Sequence, residues 1–220
     1  MTDPQIITAV AEFVEAAFAG VEVGHDWPHV RRVWQLAKHI ATQEQLSAEE
    51  CLIVELGALL HDIADTKFHD DPSVPLGRSQ ALLQSLYLPD SVVTHVLELI
   101  QNVSFKGGSA YQTFDSLPLR IVQDADRLEA IGAIGIARTF SYGSHRNRPF
   151  YDPEQPPQHN LSPEAYRKNN SATINHFYEK LLLLKDRMNT PTAQAMAQKR
   201  HQVMEDFLAA FLEEWHEGQP

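Results

Sequence analysis

An adjacent histidine and aspartate, His61-Asp62, close a run in which Leu52, Leu56, Leu59, Leu60 and Ile63 recur at helical spacing. That spacing predicts a helix with one apolar stripe. The pair falls in its last turn, where both side chains can face inward at the mouth of a core. A charged pair is costly to bury there unless something compensates. A divalent metal would do so, provided another His and another Asp arrive from elsewhere in the fold. The chain offers both. His29 lies upstream in Gly24-His25-Asp26-Trp27-Pro28-His29, and Asp126 lies downstream in Gln123-Asp124-Ala125-Asp126-Arg127-Leu128-Glu129.

The helical period dominates elsewhere too. Ile7, Val10, Ala11 and Val14 predict a first helix. Val30, Val33, Ala37 and Ile40 predict a second, starting near His29, and Val92, Val96, Leu99 and Val103 another. From Pro118 to Phe140 the chain is apolar nearly all round, which predicts a central, buried helix. Val122, Ala125, Asp126, Glu129 and Ala133 share one face of it. Gly132 and Gly135 weaken it but allow close approach of a neighbour. Asp126 in such a setting requires a partner.

Residues 141–161 are rich in proline and polar residues and break the pattern; a linker and a substrate-facing loop or lid both fit. Ser162-Pro163-Glu164 reads as a helix start. Ile174, Phe177, Tyr178, Leu181 and Leu184 then carry an apolar face. Thr190-Pro191 restarts the chain, and Val203, Phe207, Ala210 and Phe211 give the last stripe. No strand-like alternation of useful length and no internal repeat is visible. The expected fold is all-α: a single domain over 1–220, with helices in 162–216 packed on the core.

The 220 residues are enough for one substantial core. A net charge of −11 argues against non-specific binding to nucleic acid or an anionic membrane. It leaves room for a small anionic substrate, because a metal reverses the local field. The single cysteine, Cys51, excludes an internal disulfide framework and a cysteine-rich zinc site. No basic segment followed by an apolar run marks a signal peptide, and no stretch approaches a membrane span. A soluble cytoplasmic protein is expected.

His29, His61-Asp62 and Asp126, in that order, resemble the ligand set of the HD-domain metal-dependent phosphohydrolases. Longer phrases narrow the resemblance to one bacterial subfamily of predicted HD hydrolases. They are Leu59-Leu60-His61-Asp62-Ile63-Ala64-Asp65-Thr66-Lys67, Asn102-Val103-Ser104-Phe105-Lys106-Gly107-Gly108, Gln123 through Gly135, and Ile174-Asn175-His176-Phe177-Tyr178-Glu179-Lys180. Together they span nearly the whole chain.

The resemblance implies a helical bundle with one divalent metal held by His29, His61, Asp62 and Asp126. A mixed nitrogen and oxygen set suits Mn²⁺, Fe²⁺, Co²⁺, Ni²⁺, Zn²⁺ or Mg²⁺. Two imidazoles count against a pure Mg²⁺ or Ca²⁺ preference, and Mn²⁺ is favoured. A water acidified by the metal is the expected nucleophile. Asp65 is a candidate to orient or deprotonate it, and Lys67 to neutralise a phosphate oxygen. An ordinary solvated turn is the competing account of both. Lys106, among glycines, is a candidate phosphate contact or part of a plain turn. Arg127 either contacts substrate, pairs outward or holds Asp124. His25 and Asp26 lie in the outer sphere or belong to the helix entry. His69 and His95 fall in no second-metal phrase, which favours a mononuclear site.

The expected activity is hydrolysis of a phosphate ester or anhydride, with a nucleotide as the leading substrate. Nucleotidases and nucleoside triphosphate pyrophosphohydrolases both occur among HD proteins. A nucleotide-binding regulatory protein and a di-iron oxygenase stay open as alternatives, as does a homodimer.

Overall fold

Every regular element among the described residues is a helix, as the hydrophobic spacing predicts. The structure is a computed structural model and describes residues 1–19, 26–63, 73–103, 114–159 and 170–217. The chain divides into two compact units, residues 1–126 and 127–220.

In the first unit, α1 (Asp3–Ala17) starts at a capping box, with Gln5 Oε1 accepting from the Thr2 amide at 3.0 Å. It buries Ile6, Val10 and Val14; Ile6 takes the inward position expected of Ile7. Helix α2 (Trp27–Gln43) is capped by Asp26 and has Pro28 in its first turn, where a missing N–H costs nothing. Val30, Val33, Ala37 and Ile40 are all buried, as predicted. Helix α3 (Ala48–Leu60) opens with the reciprocal Ser47/Glu50 capping box. It buries Leu52 to Val54 and Leu56 to Leu60, and its packing partners include α1, α2 and α5. The predicted stripe is therefore part of a helix surrounded on most sides.

Helix α4 (Ser73–Ser85) carries too little periodicity to be read from sequence: Pro75 and Gly77 interrupt its start, and its buried side chains include a serine, Ser79. Helix α5 (Asp90–Val103) presents Val92, Val96, Leu99 and Val103 inward. A Cβ at Gly57 would stand 2.7 Å from Leu99 Cδ1, so the glycine lets α3 and α5 meet closely. Helix α6 (Leu117–Glu129) buries Leu119, Ile121, Val122, Ala125 and Leu128 completely.

The single buried helix expected from Pro118 to Phe140 is two helices. Helix α7 (Gly132–His145) begins after a break at Ala130-Ile131, where Gly132 takes φ +77°. That left-handed conformation is cheap only for glycine, and it ends one helix and turns the chain into the next. Gly135 serves the same corner, since a Cβ there would lie 2.2 Å from the Ala130 carbonyl oxygen. Nor is α7 central: Ile134 and Tyr142 are exposed, and its buried residues are Gly132, Gly135, Thr139 and Gly143. It runs on through residues 141–145, so the irregular stretch begins only at Arg146.

In the second unit, the apolar face from Ile174 to Leu184 is divided between α8 (Asn175–Glu179) and a 3₁₀ helix (Leu181–Arg187). The division falls at Lys180, whose φ of −141° is not helical. Helix α9 (Pro191–His216) starts where predicted, with Thr190 Oγ1 accepting from the Ala193 amide. Its buried face is Ala193, Ala197, His201, Met204 and Leu208 rather than the predicted stripe. Val203 is 43 % exposed and Ala210 is exposed. Phe207 and Phe211 instead join an aromatic cluster with Phe140 and Phe177, ring centroids 5.7–6.3 Å apart. The predicted helix start at Ser162-Pro163 lies outside the described residues. No helix among them is long and apolar enough to cross a membrane.

Candidate metal centre

Two helix ends in the first unit bring two imidazoles together. Asp26 Oδ1 accepts from the His29 amide at 3.0 Å, which fixes the first turn of α2 and puts the fully buried His29 ring at the helix start. His61 is the C-cap of α3, still in helical conformation. The rings lie 5.4 Å apart between centroids, inclined at 61°. His29 Nε2 is 3.2 Å from Asp62 Oδ2 and 3.7 Å from Asp126 Oδ1, while His61 Nε2 is 3.4 Å from Asp62 Oδ2. One ligand atom each of His29, His61 and Asp126 falls within a 4.8 Å span, compact enough to share one ion.

The orientation of His61 is fixed from behind. Its Nδ1–H donates to the Ala58 carbonyl at 2.8 Å, leaving Nε2 to face the carboxylates. A backbone partner on the far nitrogen is the usual support of a metal-ligating histidine. The Nε2 atom is buried and makes no hydrogen bond among the described residues. Burial opposes a proton on this ring, but Asp62 and Asp126 outweigh it and raise its pKa to about 9. At His29 burial wins, and the pKa falls. The two carboxylates thus call for one positive charge between the rings, which a proton or a metal cation can supply. The four residues fit a divalent cation. Asp126 is the accessible member, its side chain 44 % exposed, so the centre opens on that side.

Asp65, Lys67 and Lys106 lie outside the described residues, as do His25 and His69. Arg127 donates from Nη1 to the Arg187 carbonyl at 2.8 Å. Asp124 is fully buried on α6, two residues before Asp126. His95 Nε2 pairs with Ser116 Oγ at 2.9 Å, and its ring meets Phe114 edge-on, a structural setting. Asp26, left between two roles in the sequence, is the α2 cap.

One supporting contact escaped the sequence reading. Trp34 Nε1 donates to Glu55 Oε2 at 2.8 Å, and Lys38 Nζ sits 3.4 Å from the same oxygen. Trp34 is five residues after His29 on α2, and Glu55 six before His61 on α3. The contact therefore ties the two helices together about one and a half turns from the imidazoles. A lone carboxylate inside the apolar run from Cys51 to Leu60 was the available signal, since such a group requires a donor.

The HD domain family matches residues 27–131, a span that contains all four converging residues. YpgQ of Bacillus subtilis, an uncharacterised protein, is 34 % identical over 200 residues, covering 90 % of this chain and 88 % of its own. The chain belongs to the HD family. An HD-superfamily hydrolase from Bacillus thuringiensis has a similar structure, with a TM-score of 0.79 and 38 % identity over 98 % of this chain and all of that one. Bacillus subtilis YpgQ solved in complex with ADP superposes with a TM-score of 0.78 and 29 % identity, covering 99 % of this chain and 98 % of that one. HD domains bind divalent metals, and the His29, His61 and Asp126 cluster is where this HD protein would do so.

Proposed function

We propose that this HD protein is a divalent-metal-dependent phosphohydrolase that cleaves a phosphate ester or anhydride of a nucleotide. The observation that carries the metal dependence is the His61 ring: Nδ1 is tied to Ala58, and a buried Nε2 faces two carboxylates and a second imidazole. The solved complex of the relative YpgQ with ADP supports a nucleotide. His29, His61, Asp62 and Asp126 hold the cation, with Mn²⁺ preferred. When bound, such an ion supplies Lewis acidity and lowers the pKa of water enough for attack on phosphorus at neutral pH.

The remaining roles fall to side chains of this chain. Asp65 accepts the proton of the attacking water, and Lys67 and Lys106 meet phosphate oxygens as negative charge grows. Arg127, which also donates to the Arg187 carbonyl, is the candidate cation for a further substrate oxygen. The opening beside Asp126 is the side from which substrate approaches.

The test is turnover of a panel of nucleoside mono-, di- and triphosphates with each divalent metal, detecting phosphate and pyrophosphate separately. Turnover is expected with Mn²⁺ and should fall by more than about 100-fold in Asp62→Ala, beyond what loss of an outer-sphere partner causes. Pyrophosphate as product assigns a nucleoside triphosphate pyrophosphohydrolase, and phosphate alone assigns a nucleotidase. Tight nucleotide binding without turnover by any metal would overturn the enzyme reading in favour of a nucleotide-binding regulator.

A further inference from the structure

Two residues of the metal centre have visible anchors in the main chain. The His29 amide is held by the Asp26 carboxylate, and the His61 ring by the Ala58 carbonyl. Asp126 has less packing to fix it. Its side chain is 44 % exposed, against 8 % for Asp62. Where its carboxylate stands therefore depends on where α6 lies.

Almost one turn earlier on α6 stands Gln123. Helix residues three apart are neighbours on the surface, so Gln123 and Asp126 lie towards the same side. Gln123 is 7 % exposed, and Leu119, Val122 and Ala125 around it in sequence are completely buried. A buried amide is costly in such a setting unless it is hydrogen-bonded, and an apolar side chain would fill the space without that cost. The amide is used. Gln123 Nε2 donates to the Asn102 carbonyl at 3.2 Å. Asn102 belongs to the last turn of α5, whose carbonyl oxygens the helix cannot satisfy by itself. The side chain of Asn102 turns back along its own helix and donates to the Glu98 carbonyl at 2.8 Å, so it is the main-chain oxygen that meets Gln123. The bond closes the end of α5 and pins the stretch of α6 that leads into Asp126. Both helices and all four residues belong to the first unit.

We propose that Gln123 is a positioning residue for the metal ligand Asp126, holding the α6 turn that carries it against the end of α5. This rests on the metal reading above. Gln123 acts through the helix rather than by touching the ion. A bound cation tolerates only about 0.2 Å in its ligand distances, so a small drift of this turn is felt as lost affinity. The bond from Gln123 to a main-chain oxygen restrains that drift where side-chain burial does not.

Mn²⁺ titrated into the substrate-free full chain, with the unbound ion read by electron paramagnetic resonance, provides the test. Gln123→Met keeps the length of the side chain and removes its donors. Mn²⁺ affinity should fall about ten-fold, the low end for outer-sphere partners of a metal site. Gln123→Asn keeps the amide but falls one methylene short of Asn102. It should lose affinity too, and it serves if the methionine variant does not fold. Leu119→Ala on the same helix removes packing alone and should leave the affinity of the folded protein unchanged. Parent affinity in a folded Gln123 variant, or an equal loss in Leu119→Ala, would overturn the positioning role. Nucleotide turnover abolished by Asp62→Ala, with Mn²⁺ affinity unmoved in both Gln123 variants, would remove the positioning role alone. Weakened Mn²⁺ binding in those variants, with no turnover in the parent, would remove the hydrolase reading and leave the positioning role standing.

Discussion

The two compact units carry their polar chemistry on different kinds of backbone. In the first, His29 sits in the first turn of α2, His61 and Asp62 at the end of α3, and Asp126 within α6. In the second, Arg148, Thr173 and His176 project from a segment without regular structure, a turn and a five-residue helix. Regular helices place side chains by period, so their inward positions follow from spacing. A turn places side chains by whatever it packs against, here Gly143 beneath Thr173. The same contrast holds for packing: α3 is buried on most sides, whereas α7 and α9 leave Ile134, Tyr142, Val203 and Trp215 exposed.

The comparison breaks most sharply under core truncation. Phe177→Ala in the second unit should cost about 3–5 kcal/mol and Leu59→Ala in the first about 2–5 kcal/mol, both side chains being fully buried. Denaturant unfolding of each variant decides whether the units melt apart. Two transitions, each sensitive to one substitution, are expected if the units are independent; one shared transition shifted by both would erase the distinction.

A smaller effect falls where the boundary helix ends. Gly132→Ala should destabilise by about 1–2 kcal/mol, the cost of a left-handed conformation for an L-residue, with Arg200 side-chain atoms 3.0 Å from the new Cβ adding to it. Thermal melting measures the loss. A melting point equal to that of the parent would show that the turn relaxes.

Smaller still is the contact behind the imidazoles. Glu55→Ala should cost about 1 kcal/mol and weaken Mn²⁺ binding several-fold, in line with one lost hydrogen bond. Glu55→Gln keeps an acceptor for Trp34 and should keep the affinity. Equal losses in both variants would assign the effect to the Lys38 charge instead.

The last effect shows only as a slope with pH. His176 in the folded chain titrates near pH 3, below its ordinary 6.5. The unfolded chain therefore binds more protons between those values, and stability rises with pH across the window. The contribution is complete above about pH 6.5 and is lost progressively as pH falls towards 3. Chemical denaturation of parent and His176→Gln at pH 5 and pH 7.5 should show a shallower pH dependence in the variant; parallel dependences would contradict the depressed pKa.

The legibility of the chain follows the same division. Val30, Val33, Ala37 and Ile40, and Leu52, Leu56, Leu59 and Leu60, faced inward as their spacing required. The convergence of His29, His61, Asp62 and Asp126 was readable because their order resembles the HD-domain ligand set; the apolar period by itself put only His61 and Asp62 at a helix end. The break before Gly132 was not, because a glycine at positive φ and a glycine at a helix contact look alike in sequence. Helix α9 was found but rotated: Phe207 and Phe211 drew the stripe towards an aromatic cluster, while small residues such as Ala193 and Ala197 line the buried side. Helix α4 lacked a stripe altogether.

His61 also has a bearing on how such a centre could arise. Ala58 belongs to the last turn of α3, where carbonyls lack the amide partners that the helix interior provides. The imidazole takes that leftover acceptor for itself. A histidine appearing at a helix terminus thus inherits a ready-made orienting group from the main chain, and no accessory side chain has to be recruited alongside it. Deeper in the helix the same exchange would meet carbonyls already in use. Metal chemistry at a helix terminus is accordingly within reach of few mutational steps.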